Sequence, residues 1–148
     1  MPASPWLALP LVFAAGIVTA LQAPINAAVG RALSGTLAAS ALSFGVGFLA
    51  LLILSLLLGD AAAWTRLGTL SPWHLTAGLC GAFYVWSALW GVSQLGVVTT
   101  MAALVLGQSV AALLIDTTGA FGLAVREITP ARLAAVGLVA GGLILSRF

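Results

Sequence analysis

Residues 75–115 are 41 consecutive positions without a charged side chain, bounded by His74 and Asp116. As a single helix at ~1.5 Å per residue they would reach ~60 Å, twice the ~30 Å hydrocarbon thickness of a bilayer. A stretch of that kind has to cross a membrane twice, with a reversal inside it. The rest of the chain agrees: of 148 residues 62% are hydrophobic and 5% charged, against about 25% charged in an ordinary soluble domain.

The charged set is Arg31, Asp60, Arg66, Asp116, Arg126, Glu127, Arg132 and Arg147, with His74 the one histidine and no lysine. A zinc site needs three or four His, Cys or carboxylate ligands, and a P-loop needs its lysine. No metal or other cofactor is expected. Nor is an enzyme, because no base stands beside a nucleophile. Five arginines are too few for a nucleic-acid surface. Cys80, the single cysteine, has no intrachain partner and reads as a small core residue. Gly45-Val46-Gly47-Phe48-Leu49-Ala50 matches a dinucleotide-binding fingerprint in form, but no strand precedes it.

The expected fold is all-α: one transmembrane domain of five helices over about 5–29, 36–58, 72–91, 97–116 and 130–147. The reversal in the long apolar stretch falls where Gly91, Ser93, Gln94 and Gly96 loosen it. The last span is short, and its punctuation lengthens it. Thr129-Pro130 reads as an N-cap followed by proline at the first helical position, and Arg132 and Arg147 can snorkel to the two interfaces. The same start signal stands at Ser71-Pro72 and Ser4-Pro5, so spans one, three and five carry it. With five spans these three begin on one side, where Trp6, Trp64 and Trp73 would form an aromatic belt. The first stretch is expected to be a span and not a signal peptide. No Lys or Arg precedes it, and Gln22 and Asn26 interrupt any small-residue cleavage site.

Five spans put Arg66, Arg126 and Arg132 with the N-terminus and Arg31 and Arg147 opposite. Orientation normally follows a clear excess of Lys and Arg in cytoplasmic loops, and a three-to-two split supplies none. Two readings follow: a weakly determined single orientation, or insertion both ways round into an antiparallel homodimer. Five helices in each orientation would give ten related by a pseudo-two-fold axis in the membrane plane, the inverted-repeat plan of many transporters. Gly137 and Gly141 form a GxxxG in the last span, a candidate dimer seam or an intrachain packing contact.

Polar side chains inside spans need partners in protein or in a water-filled cavity. Gln22 and Asn26, at i and i+4, point from one face of the first span, and Gln108 lies near the middle of the fourth. They are candidates for a shared polar cavity, with interhelical hydrogen-bonding glue as the alternative. Tyr84 is a candidate because a phenol at depth needs a partner. Trp86, about 200° around the helix from it, is a candidate aromatic wall. Asp116, the acidic residue closest to a span, could couple an ion, or pair with Arg126 or Arg132. Asp60, Arg66, His74 and Glu127 read as solvated loop residues.

An ordered set of short motifs runs through the chain: Gln22-(x)3-Asn26 with Gly30-Arg31, Ser43-Phe44-(x)2-Gly47, Gly78-(x)2-Gly81-Ala82-Phe83-Tyr84-Val85, Leu95-Gly96, and Gly107-Gln108-(x)7-Asp116-(x)2-Gly119. Together they resemble the bacterial five-helix YdcZ-like family of the drug/metabolite transporter superfamily. The resemblance implies a multi-pass protein of the bacterial inner membrane whose single-copy members work as antiparallel dual-topology dimers. The family's usual proline before the Leu-Gly of the third turn is absent, and Val92-Ser93-Gln94 stands there. The first span has no glutamate of the kind used by four-helix multidrug exporters, so proton-coupled export of organic cations does not carry over. The expected function is secondary transport of a small, neutral or amphipathic solute, held by Gln22, Asn26, Tyr84, Trp86 and Gln108. The alternative is a non-transporting membrane interaction subunit.

Overall fold

The computed structural model describes residues 5–59 and 61–148; Asp60 and the Ser4 cap lie outside them. The described residues are helical with short connections: α1 (Pro5–Ala32), α2 (Thr36–Leu57), a one-turn α3 (Ala61–Trp64), α4 (Thr76–Leu95), α5 (Val97–Thr118) and α6 (Pro130–Leu145). Among them, four segments are long and apolar enough to cross a membrane, Ala8–Ala32, Thr36–Leu57, Pro72–Leu95 and Val97–Thr118. The fifth, Pro130–Leu145, is a shorter apolar helix of 16 residues. At ~1.5 Å per residue it reaches ~24 Å, a little under the hydrocarbon thickness.

The chain divides into two compact units, Met1–Trp90 and Gly91–Phe148. In the first, α1 ends in a Schellman motif. Gly35 N–H donates to the Gly30 carbonyl (2.9 Å) and Ser34 N–H to that of Arg31 (3.2 Å), with Ser34 left-handed at φ 52°. This turn brings α2 back along α1, where small residues permit close approach. Ala23, Ala27 and Ala39 are buried, and a Cβ on Gly30 would touch Ala39 Cβ at 3.7 Å. Val85 and Leu89 of α4 complete the core with Ala39, and Val29 and Tyr84 pack against it. The α2–α4 connection is tied back where Trp64 Nε1–H donates to Ser55 Oγ at 3.0 Å.

In the second unit, the reversal expected across residues 91–96 is confined to a single residue. The α4 helix continues through Leu95, and Gly96 alone leaves helical geometry, at φ 80°. Gly91 lies against Thr100, whose Cγ2 would be 2.8 Å from an added Cβ. In a continuous helix those two residues would be ~13 Å apart along the axis, so the contact itself demonstrates the fold-back. The α5 and α6 helices pack together, joined near one end by Thr99 and Ser146. Thr99 Oγ1–H donates to the Ser146 carbonyl at 3.1 Å, and Ser146 Oγ lies 3.2 Å from Thr99 Oγ1. At the other end Thr129 caps α6 as its sequence implies, accepting from Arg132 N–H at 3.3 Å, with Pro130 at the first position. Ser71-Pro72 opens a 3-10 turn, Pro72–Leu75, which leads into α4.

Large apolar side chains face outward throughout, for example Phe13, Leu57 and Leu138 at 73–78% exposure. Exposed apolar surface of this extent is rare on soluble monomers; on a chain surrounded by acyl tails it is the preferred surface.

Candidate functional site

Most polar groups in the spans are satisfied within their own helices. The hydroxyls of Thr19, Ser40, Thr100 and Ser109 each donate to the carbonyl four residues earlier, at 2.7–2.9 Å. One hydroxyl has one proton, and a helix offers it an acceptor one turn back. A carboxamide carries two donors and an acceptor on a longer stem, and Gln22, Asn26 and Gln108 find no such local closure among the described residues.

Asn26 is 7% exposed, and its Nδ2–H donates across to Ser43 Oγ on α2 at 3.0 Å. Gln22, one turn earlier, is exposed. It lines a cleft of about 490 Å³ with Ser43, Phe44, Gly47, Phe48, Leu51 and Val85. Ser43, Gly47 and Leu51 follow at i, i+4 and i+8, and Phe44 and Phe48 at i and i+4, so one face of α2 forms the wall. A second cleft of about 230 Å³ is lined by Asn26, Val29, Ala39, Leu42, Ser43 and Val46. Ser43 belongs to both, since its side chain stands between them.

The structure therefore brings Gln22 and Asn26 to one α1–α2 wall and adds Ser43, Phe44 and Phe48. Tyr84 packs on the Ala39–Val85–Leu89 cluster. Trp86 is half-buried and pairs with Phe83, their ring centroids 6.2 Å apart and tilted by 45°. Neither lines the larger cleft, whose α4 contribution is Val85. Gln108 belongs to the second unit and is exposed on α5. Ser43 stands in the Ser43-Phe44-(x)2-Gly47 motif but is not among the expected site residues; the available signal is that an amide on α1 with no acceptor on its own helix requires one on a neighbouring helix.

Asp116 is in the second unit, its Oδ2 3.1 Å from Arg132 Nη1, and each side chain is about one-third exposed, at 33% and 31%. The backbone fixes this end of the unit as well, with Arg126 N–H donating to the Asp116 carbonyl at 2.8 Å. Of the two roles open to Asp116, the geometry displays the pairing with Arg132. No group of three or more His, Cys, Asp or Glu able to hold a metal occurs among the described residues. At Gly137 and Gly141 an added Cβ would meet no heavy atom within 4 Å, so among the described residues of the second unit the GxxxG serves no close approach.

A helical membrane protein with several apolar spans is the class these features define. Residues 7–145 match the family described as "Putative inner membrane exporter, YdcZ", and the chain belongs to that family. It is 29% identical over 142 residues to the inner membrane protein YdcZ of Escherichia coli (strain K12), covering 95% of each chain. No solved structure matches it. The protein is thus a multi-pass inner membrane protein, of a family whose description points to transport and not to an enzyme.

Proposed function

We propose that the protein is a secondary transporter. In this reading two copies of the chain associate in opposite orientations, all five apolar helices of each cross the bilayer, and a small neutral or amphipathic solute binds near the midplane. The observation that carries it is the pairing of an apolar, aromatic-walled cleft with a carboxamide that has no partner among the described residues. Gln22 opens onto about 490 Å³ bounded by Phe44 and Phe48, and in the bilayer such a group requires a solute, water or another chain. Asn26 and Ser43 form the hydrogen-bonding floor, and Gln108, Tyr84 and Trp86 are the further residues assigned to the solute path. With no charge among these groups, strongly charged solutes are disfavoured by desolvation. The open glycine face at Gly137 and Gly141 is the proposed seam between copies.

Flux of a panel of neutral and amphipathic solutes into liposomes holding the purified protein tests the reading. Replacing Gln22 with Leu and Asn26 with Ala should abolish flux of any solute that the native protein moves, with dimers retained. Undiminished flux would remove both residues from the site. For orientation, a cysteine added after Phe148 in a Cys80→Ser background should react with membrane-impermeant reagent from both sides of sealed cells. Labelling from one side only would overturn the antiparallel dimer.

A second reading has one observation in its favour. The Asn26–Ser43 hydrogen bond is the kind of contact by which amides hold helices together. On that reading the chain is a non-transporting interaction subunit, and the Gln22 and Asn26 replacements would weaken folding without any flux to lose.

A further inference from the structure

The second unit carries a groove distinct from the α1–α2 cleft. Ser109, Ala112, Leu113 and Asp116 form its α5 wall, and Arg132, Ala135, Val136 and Val139 its α6 wall, enclosing about 270 Å³. On each helix these positions follow i, i+3, i+4 and i+7, one stripe about two turns and ~10 Å long. Its two ends differ in chemistry. Asp116 and Arg132 stand at one end, in the last turn of α5 and the first turn of α6. The remainder is apolar apart from Ser109, whose hydroxyl is committed to the Val105 carbonyl at 2.7 Å. With α5 and α6 crossing the bilayer as proposed above, the charged end coincides with the helix ends and falls at headgroup depth, and the apolar length runs toward the midplane.

We propose that this groove binds a zwitterionic aminophospholipid, its phosphate at Arg132, its ammonium at Asp116 and the upper part of one acyl chain along Ala112, Ala135, Val136 and Val139. Three observations select that occupant. The first is register: the groove places charge and apolar surface at the depths at which a phospholipid places its own. Bonding capacity is the second. Arg132 Nη1 is buried against Asp116 Oδ2, 3.1 Å away, while each side chain as a whole remains about one-third exposed. A guanidinium has five donors and a carboxylate about four acceptor positions, so the pair can accept a phosphate and an ammonium without separating. The third is charge balance. Asp116, Arg126, Glu127 and Arg132, the ionised groups of this end, sum to zero, which matches a zwitterion. An anionic headgroup would gain Arg132 but meet Asp116 at the same distance. The small side chains of Ala112 and Ala135 leave the space that the acyl chain takes.

Native mass spectrometry of the detergent-purified protein, given phosphatidylethanolamine and phosphatidylglycerol at equal mole fraction, provides the test. Retention of phosphatidylethanolamine should exceed that of phosphatidylglycerol roughly tenfold, the ratio that about 1.4 kcal/mol supplies. Arg132→Gln should bring the two lipids level. Ala135→Phe fills the groove while leaving both charges in place, and should remove the retained lipid even if the arginine variant folds poorly. Equal retention of the two lipids, preference for the anionic one, or retention unchanged by Ala135→Phe would each overturn the proposal. So would retention by monomers but not by dimers, which would show that a second copy covers the groove.

Discussion

At Gly91 one methyl group sets two sizeable effects against each other. A Cβ there would lie 2.8 Å from Thr100 Cγ2 and 3.2 Å from Thr100 Oγ1. Thr100 has little room to turn aside, being 4% exposed with its hydroxyl held 2.7 Å from the Gly96 carbonyl. Gly91→Ala relieves glycine's helix penalty, a gain of ~0.8–1.0 kcal/mol. It also overpacks a fixed neighbour, at a cost of ~1–3 kcal/mol. The net expectation is a loss of up to ~2 kcal/mol. Thr100→Ser deletes Cγ2, keeps the hydroxyl bond, and alone forfeits one methyl's packing, ~0.8 kcal/mol or less. In that background the shortest contact is gone, so Gly91→Ala should become neutral or stabilising. A coupling of ~1–3 kcal/mol between the two sites follows. Equilibrium unfolding of the four proteins in mixed micelles titrated with SDS, followed by far-UV circular dichroism, gives the cycle. Penalties that add to within ~0.5 kcal/mol would refute the close approach and, with it, the one-residue reversal at Gly96.

Three further substitutions test other joints in the same assay. Ser34→Gly should stabilise by up to ~1 kcal/mol, because Ser34 holds a left-handed conformation at the end of α1 that costs an L-residue ~1–2 kcal/mol, partly offset by the freer unfolded chain; destabilisation would contradict the Schellman geometry. Gly119→Ala should destabilise by more than ~1 kcal/mol, since φ is 62° and the new Cβ would lie 2.7 Å from Val125 Cγ2; a neutral result would rule that turn out. Asp116→Asn should cost no more than ~1 kcal/mol, as the pair with Arg132 is one-third exposed and screened; a loss several times larger would mean that the pair is shut away from water.

Helices and their ends were legible in this sequence because the signals are local. Apolar length located the four long segments, and Thr129-Pro130 located the start of α6 to the residue. The reversal between α4 and α5 was legible in place but not in extent. Composition loosens over residues 91–96, yet a helix continues until its backbone is forced to positive φ, and Gly96 alone meets that condition. Ser71-Pro72 carries the same kind of start signal as Thr129-Pro130 but begins a 3-10 turn, because an N-cap signal fixes where helical backbone starts and not which hydrogen-bonding pattern follows. The face shared by Gln22 and Asn26 follows from their spacing. Their neighbours do not: Ser43, Phe44 and Phe48 depend on the register between α1 and α2, which the Gly30–Gly35 turn and the small residues Ala23, Ala27 and Ala39 set in three dimensions. Asp116 found its partner in Arg132 and not Arg126 for a similar reason. The Arg126 backbone is engaged by the Asp116 carbonyl, while Arg132 rises from the first turn of the helix packed alongside.

The polar residues of an apolar bundle therefore do not count equally as evidence for a site. A serine or threonine in a span can close on its own helix, as Thr19, Ser40, Thr100 and Ser109 do, although Thr99 bonds across to Ser146 instead. The amides of Gln22 and Asn26 do not close in that way among the described residues and have to be answered from outside α1. For Asn26 the answer is Ser43, which leaves that amide half committed to structure. Gln22 has none among the described residues, opens onto the larger cleft, and is one turn from Asn26 on the same face. A solute that satisfies Gln22 would thus lie beside the Asn26–Ser43 hydrogen bond that joins α1 to α2. On the proposed transporter reading, binding and the packing of α1 against α2 would be coupled through Ser43, which is the coupling that alternating access requires of a site that opens and closes around its ligand.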